Sequence, residues 1–531
     1  MRSIHLSCFM LLALGCSSSE TTGTGGASAG DEGSVTTGAG GAAGGTTTGS
    51  AGAGGGGCVP GSKSCDGTSA VKTCKADGSG YDSMPCPPTT TCENAICGQC
   101  SPVGSSSCQG SMIMTCGADG QLHEDKTCPP GTTCLDGLCD DIRCPDELKS
   151  AGTTALPALG WPRYRHDNRS SGWSHAVVPD MPVLKWKVFV GGTGYLNSNG
   201  SGLAAGPVVN QNDIIFISGG DADGKGGHFY AFDASAMSVY EFPGVTGYGY
   251  TTPAVRVDGT AYYSTADGHA YAVNPNGTQQ WLYTFGFQND CSPIVTHDGY
   301  VIYGSDTDEL FALHSDGTLL WQSNPASGAG EVDSALAESC DGVIYAGGEN
   351  GWTALDAMTG TTLWQVPVSG AFQALMSSPN VTADGTMYGI DSAGIGYAVD
   401  KNGTVLWSKQ VGPAGPATDF ARVGDKVFAM LNDGSLHGFD ATNGNELWSM
   451  PVNNAPEIYR HAAPVIDGHM RLYINSNDGN VYAFDTAGTQ LWKLAASGIP
   501  TPGNNSYGTM AIGKDGTLYV PGNDGYLYAF H

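Results

Sequence analysis

Basic side chains are scarce in this chain: 22 lysines and arginines stand against 50 aspartates and glutamates, a formal net charge of −28. A surface of that sign repels phosphate backbones and anionic membranes, so nucleic acid drops out as a partner. Long apolar runs are missing as well. Residues 4–14 form the one marked apolar stretch, and it is too short to span a bilayer as a helix. Catalytic signatures are equally thin: no two cysteines are adjacent, no His-Glu-x-x-His zinc motif occurs, and the spacing yields no Ser/His/Asp triad. The Gly-x-Ser-x-Gly match at Gly26 to Gly30 lies among small residues, without the strand and helix that strain a nucleophilic serine. Cys97 and Cys100 make a lone Cys-x-x-Cys. Without a second such pair or a βαβ context it reads as a module junction rather than a zinc or redox site.

What is abundant is repetition. Between Leu203 and His531 one pattern recurs eight times: a short strand, an Asp-Gly turn, an alternating strand, a second tight turn, an aromatic-Ala-apolar-Asp strand, and a Gly-x-x-x-Trp ending. A period of roughly 40 to 48 residues leaves room for four short strands per unit and disfavours helical repeats. Asp258-Gly259, Asp298-Gly299, Asp341-Gly342, Asp384-Gly385, Asp467-Gly468 and Asp515-Gly516 mark the first turn. Such pairs supply the positive φ that tight hairpins require. The last copy stops at Phe530-His531, the third strand of its unit, which would leave an unpaired edge. Residues 183–188 read like 405–410, the fourth strand of another copy, and so predict an N-terminal strand that completes the eighth unit. The expected fold is all-β: an eight-bladed β-propeller closed by that strand.

Ala354-Leu355-Asp356-Ala357-Met358-Thr359-Gly360-Thr361-Thr362-Leu363-Trp364 carries a family resemblance. It is similar to the A-x-D-x-x-x-G-x-x-x-W repeat of pyrroloquinoline-quinone (PQQ) propellers, and Gly438 to Trp448 nearly repeats it. Trp161-Pro162-Arg163-Tyr164-Arg165-His166-Asp167-Asn168-Arg169 resembles the segment that precedes such propellers. The first copy departs from the pattern, ending in Tyr240-Glu241-Phe242. The resemblance covers 161–531 and implies the architecture. It leaves the chemistry open, because this superfamily includes quinoprotein dehydrogenases as well as cofactor-free scaffolds such as the outer-membrane barrel-assembly lipoprotein.

Arg2 and the apolar residues after it form a positive n-region and an h-region. Leu12-Ala13-Leu14-Gly15-Cys16 then resembles a lipobox, which implies a signal peptide over 1–15, lipidation of Cys16, and an outer-membrane lipoprotein facing the periplasm or the cell surface. Residues 16–57 are a Gly/Ala/Thr/Ser-rich tether that buries no core.

Two cysteine-rich modules follow, at 58–97 and 98–144. Cys58, Cys65, Cys74, Cys86, Cys92 and Cys97 are echoed by Cys100, Cys108, Cys116, Cys128, Cys134 and Cys139, the last three intervals of each set being identical. In an exported chain so small a unit reads as a disulfide framework, with its connectivity open. Cys144, Cys291 and Cys340 are left over. Aligning the third and fourth copies on Asp298 and Asp341 offsets Cys291 from Cys340 by about 20 Å along parallel strands, so the two are expected not to bond each other and Cys340 is the better partner for Cys144. A lead-in segment spans 145–181 and the propeller 182–531.

These features point to a membrane-anchored, non-catalytic interaction scaffold without cofactor; the alternative is a PQQ-dependent alcohol or sugar dehydrogenase with calcium. No catalytic residue is assigned. Asp221 and Asp223 open a calcium-loop-like stretch but lack the later bidentate glutamate, which leaves them weak metal candidates. Loops leading into the innermost strands ring one mouth of a propeller channel. They hold Tyr248, Tyr250, Phe287, Asp290, Glu331, Asp333, Phe372, Tyr459, Arg460, His461 and Tyr507. Aromatic anchors mixed with a few charges suit a protein or glycan partner.

Overall fold

The computed structural model describes three stretches: 59–140 except 61, 67–69, 78, 86–90, 94–95, 99–105, 110–111, 117–120, 128–132 and 136–137; 160–191; and 205–531 except 221–226, 246–250, 266, 287–288, 290, 306–308, 324–331, 333, 349–350, 369–376, 416–417, 453–462, 477–478, 496–507 and 523. Every regular element among these residues is a strand. The chain falls into two compact units, one of Met1–Ser62 with Cys74–Asp82 and one of Lys63–Thr73 with Ser83–His531.

The N-terminal part holds short hairpins whose arrangement is written twice. Cys92 faces Cys97 across the Thr91–Glu93 and Ile96–Gly98 pair, and Cys134 faces Cys139 across Thr133–Leu135 and Leu138–Asp140. The cysteine duplication in sequence is therefore also a duplication of hairpin register. Cys74 is in a disulfide.

From Val208 onward, eight four-stranded antiparallel sheets follow one another. Their first strands are Val208–Val209, Ala254–Val255, Ile294–Val295, Ala337–Glu338, Asn380–Val381, Ala421–Val423, Val465–Ile466 and Ala511–Ile512. The eighth sheet takes its outermost strand, Leu184–Phe189, from before the first: Leu184 pairs with Phe530 and Phe189 with Tyr526, while Val183 and His531 exchange both backbone hydrogen bonds. First strands of the first and second, second and third, fourth and fifth, and sixth and seventh sheets lie side by side, as do those of the eighth and first.

Two devices join the sheets. At the outer edge, a fourth-strand tryptophan donates its indole N–H to a carbonyl in the next sheet's last turn: Trp281 to Ser315 and Trp321 to Ala357 at 2.9 Å, Trp407 to Ala441 at 2.8 Å. The glycine of that turn must be bare, because a Cβ on Gly317 would sit 2.7 Å from the Trp281 ring. This explains the Gly and Trp of the repeat in one stroke. Trp186 reaches Ala234 in the first sheet in the same way, and Tyr240 stands in for tryptophan against Gly277. At the inner edge of the first, second, fourth and fifth sheets, the residue two before the first strand reaches its neighbour. Gly206 N–H donates to Thr252 Oγ1, Thr252 N–H to Ser292 Oγ, Ala335 N–H to Ser378 Oγ, and Ser378 N–H to an Asp419 carboxylate oxygen, at 2.6 to 3.0 Å.

One turn differs from its expectation. In the seventh sheet the positive φ falls on Met470 (60°), whose N–H closes the turn on the Asp467 carbonyl, and not on Gly468. Gly468 is small for another reason: a Cβ there would lie 2.2 Å from the carbonyl oxygen of His175.

Candidate functional site

The first strand of each sheet is an edge, with N–H and C=O groups facing the centre and unmatched by any fifth strand. Residues 161–178 supply the partners, visiting the sheets in order. Trp161 exchanges two 2.7 Å backbone bonds with Val209 in the first sheet. Val255 of the second donates to the Pro162 carbonyl. Asn168 spans the third and fourth, its amide donating to the Val295 carbonyl while its own carbonyl accepts from Glu338 N–H. Arg169 accepts from Val381 in the fifth, Ser171 from Arg422 in the sixth, and Gly172 from Ile466 in the seventh. The segment thus laces the inner edges together at the end where the first strands turn away. The sequence resemblance marked this stretch as a prelude to the propeller, whereas the structure makes it part of the core: Trp161, Arg163, Arg165 and Trp173 are all fully buried.

Two arginines reach from the lace to carbonyls of the residues just before the fourth, sixth and seventh first strands. Arg163 Nη2 donates to Leu336 O at 2.6 Å, and the Arg165 guanidinium forks between Pro464 O at 2.6 Å and Phe420 O at 2.7 Å. Burial draws the Arg163 guanidinium down to about 10, still charged at neutral pH. Asp419 is the sixth sheet's counterpart of Thr252 and Ser378. It accepts the Tyr164 hydroxyl at 2.6 Å, and burial lifts its carboxyl above the usual range although Arg165 beside it works the other way. Burial, then Asp419, drives the Tyr164 hydroxyl far up. A second buried acid, Glu338, accepts the Asn168 amide at 2.7 Å and the His297 N–H at 3.0 Å.

The lace is bent around Asp167. Arg165, His166 and Ser170 carry φ of 62°, 78° and 55°, left-handed values that L residues rarely adopt. The Asp167 carboxylate accepts Arg169 N–H at 2.9 Å and bonds the Ser171 hydroxyl, holding those turns. Burial alone would raise its carboxyl, but His166, Arg169 and Ser171 together bring it below the usual range. Where the segment leaves the centre, Arg471 clamps it, binding Asp180 at 2.6 Å and Asp467 at 2.7 Å, while Val178 N–H donates to Asp467.

The sequence-predicted rim, Tyr248, Tyr250, Phe287, Asp290, Glu331, Asp333, Phe372, Tyr459, Arg460, His461 and Tyr507, lies outside the described residues, as do Asp221, Asp223 and Cys16. Sequence reasoning missed the functional weight of Arg163, Arg165 and Asp419. The signal was present in part, since Arg163, Arg165 and Arg169 crowd together in a chain with only 22 basic residues. Asp419 gave none, because Tyr164, whose hydroxyl it accepts, lies 255 positions away. Cys291 keeps its thiol and Cys340 is in a disulfide, so the two are not joined. Among the described residues no three His, Cys, Asp or Glu side chains converge to hold a metal ion. Among the described residues, the buried acids beside the segment, Asp419 and Glu338, have oxygens bonded to Tyr164, Ser378, Asn168 and His297, which leaves them poorly placed as calcium ligands.

A family model described as outer membrane protein assembly factor BamB matches residues 266–423 and 306–531, together half of the chain. No curated protein matches. Among solved structures the chain is similar to BamB from Moraxella catarrhalis (17% identity, 66% of this chain and 98% of that one covered, TM-score 0.51). It is also similar to quinohemoprotein alcohol dehydrogenase from Comamonas testosteroni (13%, 71% and 81%, TM-score 0.54) and to a europium-containing methanol dehydrogenase (13%, 70% and 98%, TM-score 0.52). At such identities these likenesses speak for the fold alone. Repeat, docking tryptophans, sheet order and family match agree, and the chain belongs to the BamB family of PQQ-like β-propellers.

Proposed function

We propose that this protein is a non-catalytic interaction scaffold: an eight-bladed ring closed by the 184–189 strand, held at the outer membrane through a lipid on Cys16, and offering its rim to a protein partner. The observation that carries this reading is the lace. A cofactor enzyme needs a cavity with convergent polar groups that remain free to bind. Here the inner edges and the buried acids Asp419 and Glu338 are bonded to residues 161–178, whose own Arg163 and Arg165 donate to carbonyls of the sheets. Family membership favours a protein partner over a glycan, since BamB is described as an assembly factor. Trp186 docking on Ala234 and the eighth first strand lying against the first support ring closure.

The dehydrogenase reading is separated by reconstitution. Purified protein incubated with PQQ and calcium should show no bound chromophore and no dye-linked oxidation of alcohols or sugars. A stoichiometric chromophore, or turnover, would reverse the assignment.

A further inference from the structure

We infer that the outer strand of the second sheet, Gln279–Thr284, is a docking edge that pairs with an extended segment of a basic partner protein. The strand has one neighbour in its sheet, His269–Val273, so its outward N–H and C=O groups form an open edge. Each of the eight sheets ends in such an edge, and five are guarded in the ways that deter strand addition. The outer strand of the first sheet, Ser238–Val245, carries Glu241 and Pro243, and that of the sixth, Glu446–Pro451, carries Glu446 and Pro451. Lysine stands on three others: Lys409 in the fifth sheet, Lys493 in the seventh, and Lys185 with Lys187 in the eighth. The outer strands of the second, third and fourth sheets hold no charged residue and no proline, and these three sheets follow one another.

Within that group the second sheet offers the best template. Its outer strand has 6 residues against 4 in Leu319–Gln322, and in Thr362–Val366 the Gln365 amide is bonded to Thr353 of its own sheet. Gln279, Gln280, Leu282 and Thr284 are exposed. Gln280-Trp281-Leu282 stands where the eighth sheet has Lys185-Trp186-Lys187, around an equivalent docking tryptophan. Charge then selects the occupant. Residues 205–366, which supply the first four sheets, contain 19 acids and only Lys225 and Arg256 as bases, whereas 377–531 contain 14 acids and 8 bases. Asp316 is exposed beside the start of the strand, one residue beyond the Ser315 carbonyl that Trp281 binds. Asp267 is exposed beside its end, 3.0 Å from His269, which pairs with Thr284. A second copy of the chain would bring these acids against themselves. A strand with Lys or Arg at its ends would instead meet opposite charge, while main-chain bonds hold it and Leu282 gives it an apolar contact. The inference rests on the protein-partner reading above and adds an edge to the rim contacts.

The full chain is titrated against a fluorescein-labelled peptide of alternating Val and Thr with lysines at both ends, followed by anisotropy. The lysine peptide should bind and slow hydrogen exchange at the 279–284 amides, and a peptide with glutamates at the ends should bind at least about fivefold more weakly, since cross-strand charge pairs turn from attraction to repulsion. The double variant Gln280→Lys with Leu282→Lys writes the eighth sheet's guard into the second; its melting temperature should match the parent's while peptide binding falls at least about tenfold. Leu491→Lys, on the seventh sheet's edge, should leave binding unchanged. No binding of the lysine peptide, equal binding of the glutamate peptide, or undiminished binding to the double variant would overturn the inference. So would self-association of the parent that the double variant abolishes, because the occupant would then be a second copy. PQQ reconstitution does not involve this edge, so failure here is distinct from failure of the scaffold reading.

Discussion

Replacing Arg165 by methionine isolates the contribution of the lace from that of the sheets. The side chain is fully buried and its guanidinium donates to two carbonyls, Pro464 O and Phe420 O, the second of which also accepts from the Asn380 amide at 3.3 Å. A hydrogen bond from a charged donor contributes about 1.5 to 3 kcal/mol, and two of them about 3 to 6. Releasing the arginine's rotamers returns roughly 2 kcal/mol. Against that, Asp419 loses its nearest cation, and an unbalanced buried carboxylate costs several kcal/mol, moderated here by the Tyr164 and Ser378 bonds it keeps. The net expectation is a loss of about 3 to 5 kcal/mol, read as a lowered urea midpoint followed by tryptophan fluorescence. Adding Asp419→Asn should recover part of the loss, because the two charges are coupled. An Arg165→Met midpoint within about 0.5 kcal/mol of the parent would refute the claim that the lace braces the sheets.

Further outcomes follow from single contacts. Gly468→Ala should destabilise by about 2 kcal/mol or more, since its Cβ would strike the His175 backbone, whereas Met470→Gly should stabilise by up to about 1 kcal/mol by removing a left-handed side-chain conformation; thermal melts distinguish the two. Trp407→Phe removes the 2.8 Å bond to Ala441 but keeps an aromatic ring, and about 1 kcal/mol is the expected cost in the same assay. Asp167 has a depressed folded pKa, so its contribution is present above the unfolded carboxylate value of about 3.9 and fades as pH falls through the lower folded value. Asp167→Asn should flatten the parent's acid-stability curve in that window; a curve of unchanged slope would remove Asp167 as the organising acid. Deleting 182–190 should strip the eighth sheet of its outer strand and cause aggregation or loss of cooperative unfolding.

Much of the architecture was legible because the repeat writes its reasons locally. Asp-Gly dictates a turn, and Gly-x-x-x-Trp encodes both halves of a docking contact. The pairing of 184–189 with 526–530 was legible too, since one unit lacked a strand and one strand lacked a unit. The turn at Met470 was not, because glycine there serves the approach of His175 from a segment nearly 300 positions earlier. The centre was opaque for the same reason. Arg163, Tyr164 and Arg165 look like ordinary polar residues until the carbonyls of Leu336, Asp419's carboxylate and the carbonyl of Pro464 are brought to them, and no local spacing announces that encounter.

The most direct measurement is native-state hydrogen exchange at the amides of Val255, Glu338, Val381, Arg422 and Ile466, one from each of five sheets and each bonded to the lace. A seated lace predicts that these edge amides exchange among the slowest in the chain and accelerate together in Arg165→Met. Fast exchange in the parent would mean an open centre, and with it the argument against a cofactor-binding channel would fall.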